Sequence, residues 1–312
     1  MAIVTNTFQT YQAVGRREDL QNTIYNIAPS DVPFMSMIGR GKAANTLHEW
    51  QTDTLAAAAN NAQVEGDEYA FDAVTPTVRL SNQTQISRKT VIVSGTQQAS
   101  NNAGRDGEMS YQLAKASKEL KRDMETALTQ HVAKAAGSTS AARKLGGMET
   151  WLTTNSSRGG SGADPASAGA APTDGTQRAL TETLLKAVVQ SVFSAGGDPS
   201  VLMVGPFNKG AVSDFTGRSQ ARQMIDEDRI QGAAHLYASD FGELRVLPNR
   251  FQRERSAFVI DKDYWSVAYF RDFRTEEVAK TGDAIKRALL VEYTLVSKNE
   301  AASGVIADLT TS

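Results

Sequence analysis

Between residues 106 and 136 the chain carries one long amphipathic pattern, and this pattern sets the scale of the fold. At about 100° per residue, Met109, Leu113, Leu120, Met124, Ala127, Leu128 and His131 fall on one stripe. Lys115, Lys118, Glu119, Arg122 and Glu125 fall on the opposite side. The spacing predicts a helix of about 30 residues, roughly 45 Å long. Asp106 is its expected N-cap and Gly137 its expected stop.

The segments before this helix do not read as packed units. Residues 1–46 are interrupted by Pro29, Pro33, Gly39 and Gly41, with a short helix expected from Arg16 through Ile27 and ended by Pro29. This is an arm with local structure. Residues 47–95 run out from His48-Glu49-Trp50-Gln51, through a patch from Leu55 to Ala62 made mostly of small residues, to an acidic turn at Glu65-Gly66-Asp67-Glu68. They return through Thr75-Pro76-Thr77-Val78-Arg79-Leu80, which alternates as a strand does, and stay β-favouring from Gln83 to Val93. A two-stranded excursion with so few large apolar residues needs another surface to lie on.

Beyond the helix, residues 153–178 are dominated by Gly, Ser, Ala and Thr and predict a flexible surface loop. From Thr181 the texture is globular. Leu184, Leu185, Val188, Val189, Val192 and Phe193 fit a helix capped by Thr181 and ended at Gly196-Gly197. A buried strand at Val201-Leu202-Met203-Val204 follows, then a turn at Gly205-Pro206 and a further helix. Strands are expected from Gly242 to Leu247, from Trp265 to Phe273 and from Leu289 to Val296. Short strands flanking few helices predict an α+β fold.

Composition removes several chemistries. With no cysteine there is no disulfide, thiolate nucleophile, iron–sulfur cluster or Cys-ligated zinc. A formal net charge of -2 argues against a nucleic-acid or membrane-surface role. No apolar run is long enough to span a bilayer, and Met1 to Asn6 lacks the features of a secretory signal, so a cytosolic protein is the first expectation.

Motifs for catalysis fail on inspection. Gly39-Arg40-Gly41-Lys42 resembles the end of a phosphate loop, but Ser36 and Ala43 stand where the signature needs Gly and Ser or Thr; a turn with exposed charge is the better reading. Gly159-Gly160-Ser161-Gly162 lacks dinucleotide-loop spacing, and no Ser occupies a G-x-S-x-G elbow. His48, His131 and His235 lie far apart with no metal-ligand spacing; His131, on the apolar stripe, reads as a core or interface residue satisfied by one hydrogen bond. Glu65-Asp67-Glu68 and Asp226-Glu227-Asp228 do not match a calcium loop and read as solvated charge. Asn82-Gln83-Thr84 and Asn155-Ser156-Ser157 match the glycosylation sequon, which matters only for a secreted chain. No catalytic residue, cofactor site or metal site is assigned.

The order of arm, β excursion, long helix, α/β unit and strand-rich end resembles the Hong Kong 97-type fold of tailed-phage major capsid proteins. Particular strings resemble a phage capsid family typified by the SU-ten podophage. They are Phe8-Gln9-Thr10-Tyr11, Gly15-x-Arg17-Glu18-x-Leu20, Ile24-Tyr25-Asn26-Ile27-x-Pro29-x-Asp31-x-Pro33-Phe34 and His48-Glu49-Trp50-Gln51-x-Asp53, with Leu145-Gly146-Gly147-Met148 and Val291-Glu292-Tyr293 further on.

The resemblance implies an N-arm at 1–46 and an extended loop at 47–95. It implies a peripheral domain with a spine helix at 96–140, an axial domain at 141–250 containing the flexible loop 153–178, and return strands of the peripheral domain plus a C-terminal strand at 251–312. It implies a structural subunit, not an enzyme, that assembles as hexamers and pentamers into an icosahedral shell around the phage genome. Arms and loops of such shells lie across neighbouring subunits, which makes Arg16, Arg17, Glu18, Glu49, Trp50, Asp53, Glu65, Asp67, Glu68 and Arg79 candidate inter-subunit contacts. The implied partners are further copies of the chain, a scaffolding protein, a portal protein, a decoration or cement protein, and packaged double-stranded DNA contacted non-specifically, with no membrane. The implied location is the virion, with assembly in the host cytoplasm.

Two departures stand out. Residues 47–88 contain no lysine, which removes the isopeptide cross-link that some relatives make from this loop. The family-like strings begin at Phe8, so the scaffold is expected to be a separate protein. An encapsulin-like compartment would share the fold, and an enzyme would need a convergent polar pocket that the sequence does not assemble.

Overall fold

The computed structural model describes residues 32–68, 71, 73–100, 107–215 and 235–312. The expected helix at 16–27, Asp106 and the acidic run 226–228 lie outside the described residues.

Two sheets, with one long helix packed on the first and a shorter one on the second, form the body. The first sheet has the order β1-β10-β11-β4, from Gly39–Lys42 (β1), Gln85–Ser94 (β4), Trp265–Val278 (β10) and Ala284–Ser297 (β11). β1 runs parallel to β10 and the other pairs are antiparallel. The second sheet has the order β5-β12-β9-β6-β8-β7, from Ser156–Ser157 (β5), Val201–Val204 (β6), Leu236–Ser239 (β7), Gly242–Pro248 (β8), Ala257–Ile260 (β9) and Gly304–Ile306 (β12). Leu47–Thr52 (β2) and Val78–Gln83 (β3) pair antiparallel as a separate ribbon, with Trp50 opposite Leu80.

The long helix, α3, spans Glu108–Thr129, 22 residues or about 33 Å. It is shorter than the pattern predicts. The backbone of Gln130 is extended, and the chain after it turns back, with Gly147 donating to the carbonyl of Val132 and Lys134 to that of Gly169. Met109, Ala116, Leu120, Met124 and Leu128 are buried, against β4 and β11. His131 lies past the helix end, and its Nδ1 has no hydrogen-bond partner among the described residues.

Glu125 also departs from expectation. Assigned to the solvated side, it is fully buried. Its carboxylate accepts the amides of Phe34 at 2.7 Å and Met35 at 2.9 Å, and the side-chain amide of Asn249 at 2.7 Å. Phe34 and Met35 sit in the first turn of α1 (Pro33–Met37), where N–H groups have no partner within the helix. Glu125 therefore caps a helix 90 residues upstream, and burial still pushes its pKa above the usual carboxylate value.

One apolar cluster joins both sheets. It contains Phe34, Leu120, Met124 and Leu128 from the helices, Trp265, Val291, Tyr293 and Leu295 from the first sheet, and Met203, Phe258, Ile260 and Val305 from the second. Each fully buried side chain of this size contributes about 1.5–3 kcal/mol. A second cluster lies between the six-stranded sheet and α4 (Glu182–Ser194), which buries Leu185, Val188, Val189 and Val192. Thr181 caps α4 by accepting the Leu184 amide, and Gly196, at φ +89°, ends it as the sequence predicts. Two short helices, α2 (Gly95–Ala99) and α5 (Pro206–Ser213), complete the described helices.

Three further readings need correction. Gly39–Lys42 is an edge strand, not a turn, because its backbone pairs with Ser266 to Tyr269. Gln85–Ser94 belongs to the first sheet, so the excursion proper ends at Gln83. Residues 153–178 are irregular but anchored: the fully buried Asp308 accepts the amides of Gly159 at 3.1 Å and Gly175 at 2.8 Å and pairs with Arg255 at 3.0 Å. Arg158 is buried in the same region, bonded to Glu149 at 3.0 Å and Asp164 at 2.6 Å. The small residues that suggested a solvated loop instead permit close backbone packing, since a Cβ at Gly159 would overlap the carbonyl of Thr176.

Candidate assembly interface

The ribbon changes character along its length. At its root, β3 passes from the exposed Val78 and Arg79, through the half-buried Leu80 and Ser81, to the fully buried Asn82. Asn82 Nδ2 donates to the carbonyls of Leu295 at 2.8 Å and Gly146 at 3.2 Å, while Oδ1 accepts the amides of Gly146 at 2.8 Å and Gln83 at 2.9 Å. Lys134 Nζ donates to the carbonyl of Ser81 at 2.8 Å. Trp50 Nε1 donates to the carbonyl of Ser297 at 2.7 Å, and its ring packs on Trp151 with centroids 5.4 Å apart. Next to the ribbon, Thr84 Oγ1 donates to Glu292 at 2.8 Å. Glu292, almost fully buried, also pairs with Arg143 and with Arg271, the latter at 2.7 Å.

Past Thr52 and Val78 the contacts with the body stop. Every described residue from 53 to 77 is exposed. Leu55 is 99% exposed, Phe71 96% and Val74 94%, so these apolar side chains stand in water. The hydrogen bonds in this stretch are local, such as the Thr54 amide to Asp53 at 2.9 Å and the Glu68 amide to Asp67 at 2.9 Å. Residues 53–77 hold five acidic residues and no lysine or arginine. The tip is therefore acidic, apolar in places and without a partner surface among the described residues.

The candidate contacts separate into groups. Arg16, Arg17 and Glu18 lie outside the described residues. Glu49 and Arg79 meet across the ribbon at 3.6 Å, both solvated. Asp53, Glu65, Asp67 and Glu68 are exposed at or beyond the ribbon's end, with Gly66 at φ +85° making the turn. Trp50 differs from the rest: its half-burial is accounted for within its own chain. His48, beside it with centroids 5.9 Å apart, has its pKa lowered by burial. The root contacts of Asn82, Thr84, Glu292 and Arg143 are not legible in the sequence: Asn82 and Thr84 stand out there only as a sequon, which the burial of Asn82 closes to glycosylation in the fold, and Glu292 only within a family-like string. Among the described residues no group of three or more His, Asp or Glu could hold a metal ion, and no helix is long and apolar enough to cross a membrane.

Comparison with known proteins agrees with this geometry. The model of the SU10 major capsid protein family matches residues 3–310. The chain is 29% identical, over 338 residues covering 96% of each chain, to the major capsid protein of Escherichia phage Phieco32. The capsid asymmetric unit of cyanophage A-1(L) has a similar fold, with a TM-score of 0.67 at 14% identity over 97% of this chain and 99% of that one. The major capsid proteins of phage G, solved with their decoration proteins, align with a TM-score of 0.53 at 12% identity over 99% and 100%. The fold is that of the Hong Kong 97-type tailed-phage capsid proteins. With nearly its whole length matched, the chain belongs to the SU10 major capsid protein family, whose members form the shell of a phage capsid.

Proposed function

We propose that copies of this chain assemble as hexamers and pentamers into an icosahedral head shell, with residues 53–77 of each copy seated on a neighbour. The near-complete exposure of Leu55, Phe71 and Val74 carries this reading. Apolar side chains held in water by an irregular segment gain free energy only by burial, and a second subunit can supply the surface. On this reading residues 1–46 act as the N-arm, the ribbon with its tip as the extended loop, the first sheet with α3 as the peripheral domain, and much of the second sheet with α4 as the axial domain. A scaffolding protein, a portal and packaged double-stranded DNA belong to the same proposal, with assembly in the host cytoplasm. A decoration protein, as in the phage G structure, is a further proposed partner.

The test is deletion of residues 55–75. The variant is expected to keep the parent's thermal unfolding transition, because no described residue of this stretch belongs to either apolar cluster. It is expected to form no closed particles by sedimentation or electron microscopy. Closed shells from the deletion variant, or loss of the folded subunit, would overturn the reading.

A further inference from the structure

We infer that the root of the ribbon is a preset mount: Asn82, Trp50 and Thr84 are positioning residues that fix the direction of the excursion before a neighbour arrives. The inference rests on the reading that the excursion seats on another copy, and goes beyond it by locating where its angle is set.

Three observations carry it. Asn82 uses all of its side-chain hydrogen-bonding groups to tie β3 to two distant parts of the chain, Gly146 and Leu295. Trp50 ties the other strand to Ser297, two residues from Leu295 on β11, so both strands of the ribbon are held to the same stretch of one strand. Thr84 joins the end of β3 to the Glu292 cluster, where Arg143 also donates to the Thr84 carbonyl at 3.3 Å. A two-stranded ribbon is marginal by itself. Here its root is bonded at Ser81, Asn82 and Thr84, while every described residue from 53 to 77 is exposed.

The consequence is geometric. Contacts between different surfaces of identical subunits close into rings only if the angle between copies is correct, and otherwise run on into open structures. A loop held at that angle in advance also loses less freedom on docking, which raises affinity without adding a contact. The mount therefore sets the outcome of assembly as well as its rate.

The chain has no cysteine, so paired nitroxide labels can be placed without background at Val78→Cys, the last strand residue of the ribbon, and Lys118→Cys on α3. In the unassembled full-length subunit, pulsed electron resonance is expected to give one narrow distance distribution. Adding Asn82→Ala is expected to broaden it while far-ultraviolet circular dichroism stays unchanged. Without labels, Asn82→Ala and Thr84→Val are expected to slow formation of closed shells by about tenfold or more and to yield open or irregular particles, whereas Thr84→Ser, which keeps the hydroxyl, assembles as the parent does. If Asn82→Ala does not fold, Trp50→Phe carries the test, because it removes the indole bond to Ser297 and keeps the ring. A broad distribution in the parent, or closed shells at the parent's rate from folded Asn82→Ala and Thr84→Val, would overturn the inference. The deletion of residues 55–75 separates the two failures. Shells from that variant sink the seating of the loop. Normal assembly by the mount variants, with the deletion variant inert, sinks the mount alone.

Discussion

The carboxylate of Glu125, near the C-terminal end of α3, accepts the backbone amide of Phe34 at 2.7 Å across 91 residues of sequence. Replacing it with alanine leaves the buried amides of Phe34 and Met35 without that acceptor, and leaves the Asn249 side-chain amide only the weak acceptor Met203 Sδ at 3.4 Å. Glu125→Ala is expected to cost at least about 3 kcal/mol, read from the urea midpoint of the unassembled subunit. The pH dependence has a definite sign. Burial raises this pKa in the folded chain, so between the ordinary carboxylate value and the raised one the folded state binds more protons. Stability linked to Glu125 is therefore full below that window and falls as pH rises through it. Glu125→Gln is expected to lack that part of the profile.

Gly147 sits where the chain leaves α3 and turns back, and a Cβ there would overlap the carbonyl of Gln130. Backbone cannot yield as a flexible side chain can. Gly147→Ala is expected to destabilise the subunit by about 3 kcal/mol, at the upper end of overpacking costs, measured by thermal unfolding.

Asp308 holds the glycine-rich segment through two amides and Arg255, from a backbone with φ of 59°. Asp308→Asn keeps the size and tolerates that backbone, but sets an NH2 group against donors. The expected loss is about 2 kcal/mol. A sharper readout is trypsin cleavage after Arg158, whose side chain is 5% exposed in the parent and should become accessible in the variant.

The hydrogen bond from Arg253 holds the Asp174 carboxyl below the usual range, and the charges of Arg253, Arg255 and His131 act in the same direction. A depressed carboxylate pKa contributes stability above the ordinary value and loses it as pH falls through the depressed one. Melting temperature against pH, between about pH 5 and 2, should decline less in Arg253→Ala than in the parent over this window.

Phe71 touches nothing that the fold requires. Phe71→Ser is expected to change subunit stability by no more than about 0.5 kcal/mol, as for other exposed positions, while reducing the yield of closed shells in the same preparation.

Much of the body was legible from local pattern. The cap and glycine stop of α4, the buried run Val201 to Val204 and the strand at Leu289 to Val296 each follow from a short window of sequence, although Val291 to Val296 are buried on both faces rather than alternately. The exposed excursion was legible too, from its shortage of large apolar residues. What escaped depends on partners far away in sequence. Glu125 lies at a polar angle of the helix, and only the arrival of α1 makes that angle interior. Asn82 meets Leu295 across 213 residues, and β1 pairs with β10 across most of the chain, so no window contains both members. The glycine-rich segment misled because the composition that suits a solvated loop also suits backbone packed against a buried aspartate.

The apolar cluster shared by the two sheets has a mechanical consequence. Two halves that meet through a small polar surface can swing about a hinge, but Phe258 and Ile260 of one sheet are packed in the same interior as Trp265 and Leu295 of the other. Bending the body would open that interior to water. The body should therefore respond to load as a single stiff plate, and any change of shape that the shell undergoes has to be absorbed at the plate's margins.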